Sequence, residues 1–200
     1  MIESVHQWFV ADRRATVLSE HLAALIPAHA RVLDVGCGDG RLSNLVARQR
    51  PDIELRGVEV LLRDAPAIPI EPYDGKELPF ADAAFDAVML VDVLHHTDDP
   101  AAVLREAQRV ASRAIIIKDH LCEGWMARPT LRFMDRVGNR RYGVSLPYNY
   151  LTLRQWHAAF AELGLCIEQW HTELNLYPWP ARMVFERSLH FAARLVRGEP

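Results

Sequence analysis

The sequence predicts an α/β protein built on a mostly parallel sheet wrapped by helices. Three observations lead there. Strand-like and helix-like stretches alternate from residue 30 to 119, a glycine loop "DVGCGDG" (34–40) joins the first strand to the next helix, and two more strand-like runs close the chain. Alternation of this kind produces parallel strands joined by crossover helices. With 200 residues, half of them hydrophobic, one domain covering 1–200 is expected.

Each element has a local reason. "VHQWFVADRRATVLSEHLAALI" spaces Trp8, Val17, Leu18, Leu22 and Leu25 by mixed threes and fours and stops before Pro27, so 1–29 reads as an N-terminal amphipathic helix. "RVLDV" is a short buried strand, and "RLSNLVARQR" is a helix with Leu42, Leu45 and Val46 on one face, ending at Pro51. "IELRGVEV" is a second strand, closing at Glu59. Pro66, Pro69, Pro72 and Pro79 then leave room for at most a turn of helix and a short strand around Ile68 to Ile70. "FDAVMLVDV" has strand character, "DPAAVLREAQRV" is a helix capped by Asp98 or Asp99 with proline in its first turn, and "RAIIIKD" is a strand. Residues 120–150 break the rhythm, setting Trp125, Phe133, Tyr142, Tyr148 and Tyr150 among Arg128, Arg132, Arg136, Arg140 and Arg141. In 151–200 a helix starts at Thr152 and stops at Gly164, and strands follow in "LCIEQWHTEL" and "SLHFAARLV".

The formal net charge of -3 gives no overall pull toward nucleic acid or an anionic membrane. The charge is uneven: residues 1–119 hold 13 Lys+Arg against 19 Asp+Glu, and 120–200 hold 10 against 7. Cys37, Cys122 and Cys166 lack the spacing of a disulfide framework or a zinc site, so no metal is expected and a reduced, cytoplasmic setting fits. No basic leader with an apolar core and no run of membrane-spanning length is visible, so no stable membrane insertion is expected.

The glycine loop raises a question of charge. Loops stripped of side chains let a ligand approach the backbone. A dinucleotide fingerprint would need glycine at 41, where Arg41 stands, with Gly40 one residue early. A pyrophosphate favours bare amides at a helix N-terminus, yet Asp34 and Asp39 flank this loop and would repel it. An ammonium or sulfonium would be drawn in, opposite charges about 4 Å apart gaining on the order of 4 kcal/mol at intermediate dielectric before desolvation. Glu59 closes the second strand near the separation at which an acidic side chain takes a ribose diol. S-adenosylmethionine carries a ribose, an adenine and a positively charged amino-acid tail.

The segments "VLDVGCGDGRLSNLVA", "GVEV", "DGKELPFADAAFDAVMLVDVLHH" and "PAAVLREAQRV" resemble successive motifs of class I S-adenosylmethionine-dependent methyltransferases. They are most similar to the small-molecule branch that includes ubiquinone and menaquinone methyltransferases, over residues 30–119. The resemblance implies a Rossmann-like, seven-stranded, mostly parallel sheet with helices on both faces and an antiparallel C-terminal strand. It implies a cofactor core at 30–119, with Asp34, Gly36, Cys37 and Gly38 around the methionine part and Glu59 on the ribose. Val60 would face the adenine, Asp74 and Gly75 would lie at its amino group, and Val91 and Asp92 would border the transferred methyl. Two departures stand out. Only about nine residues separate Glu59 from Ile68, short for a parallel crossover, so the adenine side is expected to be open. "VASRAIII" lacks the family's frequent glycine-proline turn, so that connection must be tight.

Methyl transfer from a sulfonium needs mainly alignment, and a base helps only when the acceptor is a hydroxyl or phenol. Asp92, His95 and His96 follow the fourth strand, and Asp119 and His120 the fifth. Asp92, His96 and His120 are the catalytic candidates, each with a structural alternative: a helix-turn cap for Asp92, a hydrogen-bonded turn or core histidine for the others. The 120–150 insertion reads as a lid on the acceptor side whose aromatics either contact a flat acceptor or form the lid's own core. The arginine row, partly neutralised by Asp135, either meets an anionic group or is a solvated face. The expected partner is a small-molecule acceptor methylated at oxygen or carbon, not a nucleic acid, and the oligomeric state stays open. A catalytically inactive binding module is the first rival, and a nicotinamide-dependent oxidoreductase the second.

Overall fold

The computed structural model describes residues 2–139 and 147–198, with side chains for 12–138 and 147–198. Arg140, Arg141, Tyr142 and the side chain of Trp8 lie outside the described residues. Helix α1 (Ile2–Leu25) precedes β1 (Arg31–Val35), α2 (Arg41–Gln49), β2 (Glu54–Glu59), β3 (Ile70–Pro72), β4 (Phe85–Val91), α3 (Pro100–Val110) and β5 (Ala111–His120). Then come α4 (Ala127–Asn139), α5 (Leu153–Glu162), β6 (Leu165–His171), α6 (Arg182–Phe185) and β7 (His190–Arg197). The strands form one sheet in the order β3-β2-β1-β4-β5-β7-β6. β7 lies antiparallel between β5 and β6, and β1 pairs in parallel with both β2 and β4.

Strand alternation sorts the core into two layers. Val32, Ala87, Met89, Ala114 and Ile116 pack with Leu18 and Leu22 of α1 and Val46 of α2. Leu33, Val35, Val88, Leu90, Ile115 and Ile117 pack on the other face with Leu104 and Ala107 of α3 and Trp156 and Phe160 of α5. A strand's period of two is what sends neighbours to opposite layers. It also sends Asp34 and Lys118, both buried, into the α1/α2 layer.

Several local expectations are met and a few are moved. Asp99 caps α3, its side chain accepting Ala102 N–H, with Pro100 in the first turn. Strand β5 begins directly after α3, at Ala111, so this connection is as tight as the sequence demands. On α2 the buried positions are Ser43 and Val46, while Leu42 and Leu45 are half-buried. The short strand after β2 occupies 70–72, and residues 60–69 cross over to it without a helix. Val60, Leu61 and Leu62 consequently stay 50–56% exposed.

Thr152 and Gln155 form a complete capping box at the start of α5, whose Trp156 and Phe160 are buried. Thr152→Ala is expected to lower unfolding stability by about 1 kcal/mol with an unchanged m-value, read from urea melts.

Candidate active site

The sheet order reverses between β1 and β4, whose onward connections α2 and α3 lie on opposite faces. Open α/β sheets bind ligands at the carboxyl ends of strands at such a point. The glycine loop (36–40) follows β1, Val91 ends β4 with Asp92 directly after it, and Glu59 ends the neighbouring β2.

Four of the five backbone donors of the loop, those of Gly36, Cys37, Gly38 and Gly40, are spent internally. Gly36 and Cys37 N–H donate to Val58 O at 2.9 and 3.3 Å, and Gly40 N–H to Cys37 O at 3.0 Å. Gly38 N–H donates to Glu59 Oε2 at 2.7 Å, and Arg41 N–H at the start of α2 donates to Asp39 Oδ1 at 3.1 Å. A diphosphate would find these amides taken and a carboxylate beside two of them. Glycine is required at 36: φ is +71°, and a Cβ there would stand 2.7 Å from Val93 Cγ2.

Asp34 is the charged group beneath this loop. It is 3% exposed, one carboxylate oxygen accepts Ser43 O–H, and Oδ1 is buried without a partner. Burial, aided by nearby Glu59 and opposed by the Ser43 hydrogen bond, pushes its pKa up to about 7. Ser43 gave no sequence signal as a functional residue, yet it is what orients this carboxylate. A cation already lies over the loop: a Cβ built on Gly38 would be 3.3 Å from Arg63 Nη1.

Glu59 also accepts the N–H groups of Val60 at 2.9 Å and Leu61 at 3.2 Å through Oε1. Three of a carboxylate's roughly four acceptor positions are thus used, with one open. Tyr73 N–H donates to Glu59 O at 3.3 Å, and a Cβ on Gly75 would stand 3.4 Å from Val60 Cγ2, so the 73–75 turn comes up against the end of β2. Asp74 is exposed, and its Oδ1 accepts Lys76 and Glu77 N–H, which lowers its pKa. Asp34, Gly36, Cys37, Gly38, Glu59, Val60, Asp74 and Gly75 are brought to one edge of the sheet.

S-adenosylmethionine fits these residues. The orphaned Asp34 oxygen is suited to an ammonium, the glycine backbone to close approach of the chain bearing it, and the open Glu59 position to a sugar hydroxyl.

The second half of the site is a buried polar cluster at the ends of β4 and β5. Lys118 is fully buried and its ammonium pairs with Asp92. Arg14 of α1 donates to the other Asp92 oxygen at 2.5 Å, and Asp92 N–H donates to Lys118 O at 2.8 Å. Burial opposes the Asp92 charge, but Lys118 and then Arg14 hold its pKa well below the carboxylate range. Both oxygens of this candidate base are therefore engaged. It is Asp119 that holds the following turn, accepting Leu94 N–H at 3.1 Å.

His95, 1% exposed, sets Nδ1 2.6 Å from Asp119 Oδ1, while Nε2 lies 3.4 Å from Asp135 Oδ2. Burial acts against its charge, but Asp119 and then Asp135 outweigh it and lift its pKa to about 10. His96 differs: it is half-buried, its Nδ1 is buried without a partner, and burial together with the neighbouring His95 lowers its pKa. His120 is buried, with Nδ1 3.2 Å from His190 Nδ1 and Nε2 3.6 Å from Asp135 Oδ1; burial and Lys118 lower its pKa. Tyr150 O–H donates to Asp135.

Helix α4 lies over this cluster. Ala127 and Leu131 pack with Tyr150 and Leu189, and Asp135, expected to offset the arginine row, instead turns inward to the histidines. Arg128, Arg132 and Arg136 are exposed and line a groove of ≈ 490 Å³ with Pro129, Phe133 and Tyr148. Trp125 is 93% and Phe133 57% exposed, so neither forms the lid's own core.

Comparison with known proteins agrees with this architecture. Residues 33–114 match the methyltransferase domain family model. The chain is 30% identical over 129 residues to 27-O-demethylrifamycin SV methyltransferase of Amycolatopsis mediterranei, covering 54% of this chain and 47% of that protein. It is 38% identical over 93 residues to a ubiquinone biosynthesis O-methyltransferase of Xanthomonas axonopodis pv. citri, covering 42% and 39%. The match thus spans less than half the length of these relatives. Among solved structures, the putative methyltransferase in complex with the Haloferax volcanii Trm112 methyltransferase activator superposes with a TM-score of 0.68 at 16% identity, over 94% of this chain and 92% of that one.

Asp34 generates a prediction with a definite sign. Its folded pKa is raised, so the folded protein keeps a proton that the unfolded chain releases, and ligand-free stability falls as pH rises from about 4 to about 7. Asp34→Asn is expected to stabilise the ligand-free protein at pH 8 by roughly 1–4 kcal/mol, the gain shrinking toward pH 5, in urea melts across pH. With its glycine loop, its strand-end glutamate and the matched segment 33–114, the chain is similar to the methyltransferase domain family and takes the fold of solved methyltransferases.

Proposed function

We propose that the protein transfers a methyl group from S-adenosylmethionine to a small organic acceptor, at oxygen or carbon. The observation that carries this reading is the buried Asp34 carboxylate with an unpartnered oxygen, beneath a loop whose three glycine amides are already spent. Bound S-adenosylmethionine supplies a methyl activated by its sulfonium. The chain's own residues hold and orient it: Asp34 faces the amino group, Glu59 a ribose hydroxyl, and Val60 with the 73–75 turn flanks the base.

The acceptor would lie beyond the ends of β4 and β5, beneath α4, with Val91 beside the reacting methyl. Among the candidate bases there, His96 is the group that can take a proton. Asp92 is clasped by Lys118 and Arg14, and His120 is buried among His190 and two carboxylates. His96 keeps an unpartnered buried Nδ1, and its lowered pKa leaves it neutral at pH 7. The relatives named for O-methylation make a hydroxyl acceptor the first class to try. No helix among the described residues is long and apolar enough to cross a membrane.

Calorimetry with S-adenosylhomocysteine tests the cofactor assignment. Asp34→Ala and Glu59→Ala are each expected to weaken binding at least several-fold, and unchanged affinity in either would misplace that contact. A preference for NAD would reverse the reading. A labelled-methyl assay on cell extract tests turnover, and cofactor binding without any acceptor labelling would favour the inactive module.

For a hydroxyl acceptor, His96→Ala is expected to lower kcat about 10² to 10⁴-fold. The base works when neutral, so wild-type activity should fall as pH drops through a pKa below that of a free imidazole, and the variant should lose that acid limb.

A further inference from the structure

From the cluster under α4 we infer a binding site for one divalent transition-metal ion, held by His95, His96 and the Asp135 carboxylate. The ligand atoms of these three lie within 4.8 Å of one another. Two imidazole nitrogens there, His95 Nε2 and His96 Nδ1, are buried without a hydrogen-bond partner, and His95 itself is 1% exposed. The rings lie side by side with centroids 4.0 Å apart. His95 Nε2 stands 3.4 Å from Asp135 Oδ2, which matches the roughly 3.4 Å edge of a tetrahedron with ligands about 2.1 Å from its centre.

The surroundings have the form that metal centres require. A ligating histidine usually donates its other ring N–H to a carboxylate, and ligating carboxylates are themselves hydrogen-bonded. His95 Nδ1 meets Asp119 Oδ1 at 2.6 Å, and Asp135 accepts Tyr150 O–H. His120 Nε2, 3.6 Å from Asp135 Oδ1, is placed as a further nitrogen at the edge of the site. Ligation needs a neutral imidazole, so an ion would enter in exchange for a proton that His95 holds between Asp119 and Asp135, while Arg14 and Lys118 stay committed to Asp92. Two imidazoles and one carboxylate suit zinc, iron, cobalt or nickel better than calcium or magnesium, which prefer all-oxygen sets. His96 is half-buried, so the site is not sealed from solvent. An ion there would polarise an acceptor hydroxyl and lower its pKa, so that its proton could pass to solvent while His96 served as a ligand rather than as the base. That role rests on the methyl-transfer reading, whereas ion binding rests on the geometry alone.

The test is titration of the full-length, tag-free, chelator-stripped protein with cobalt(II) in the absence of cofactor. One equivalent should bind with the visible spectrum of a nitrogen- and oxygen-ligated ion, and zinc should displace it. His95→Gln, His96→Ala and Asp135→Asn should each weaken binding at least 10-fold, while His157→Ala, at an exposed histidine on α5, should not. S-adenosylhomocysteine binding checks that each variant is folded and tests the cofactor site separately. Failure of the wild type to bind one equivalent would overturn the inference whatever the variants do. A thiolate-type cobalt spectrum, or binding that survives the substitutions in folded variants, would overturn it too.

Discussion

The pairing of Lys118 with Asp92 is the constraint around which the acceptor side is organised. Lys118 sits in a strand that is buried on both faces, and an ammonium taken out of water costs several kcal/mol unless a partner meets it. The partner is delivered by the backbone: Asp92 takes φ +56°, a conformation that non-glycine residues seldom adopt, and folds its N–H back onto Lys118 O. Strain of this kind persists where surrounding contacts over-determine it, and here Arg14 from α1 closes the other side of the carboxylate. The end of β4 is thereby fixed relative to β5 and α1, and with it the turn that carries His95 and His96.

From that anchor the two halves of the site divide the electrostatic work. On the β1/β2 side the glycine amides of the loop are satisfied by the protein, so what remains for a ligand is chiefly carboxylate charge. On the β4/β5 side the carboxylates are already matched by cations, leaving imidazole nitrogens as the unfilled positions. The raised pKa of Asp34 and the orphaned nitrogens of His95 and His96 are two forms of one condition: buried polar atoms without a hydrogen-bond partner among the described residues. Unpaired polar atoms in a buried site cost stability, and a ligand that meets them recovers it.

The sequence carried the frame of this site well and its interior poorly. Alternation, the glycine loop and the capping signals at Asp99 and Thr152 are local, so they could be read residue by residue. The β2–β3 crossover without a helix was legible too, because four prolines leave a helix no room. Lys118 was invisible as an ion-pair partner, since "IIIKDH" reads equally well as a strand ending in solvated charge. Its partners Asp92 and His190, and the Arg14 that closes the other side of Asp92, lie far apart in the chain, and only the fold brings them together. Asp135 was misplaced for a related reason: a helical wheel shows that it sits between arginines, but not that its side of the helix faces a buried histidine.

The open flank beside Val60 gives the charge argument its weight. Where a crossover helix would cover the end of β2, Val60, Leu61 and Leu62 stand about half-exposed, so a base bound there would keep one edge in water. Apolar burial contributes roughly 25 cal/mol for each Å² removed from solvent, and a half-covered base forfeits much of that contribution. On the proposed reading, binding must then draw more heavily on Asp34 and Glu59 than in a fully enclosed site. Arg63, on the same uncovered crossover and already over Gly38, lies where the ligand's positive tail would arrive. Its withdrawal would be part of binding, and because Ala67 N–H donates to Asp39 O at 2.9 Å, the crossover that carries Arg63 is tied directly to the glycine loop that receives the ligand.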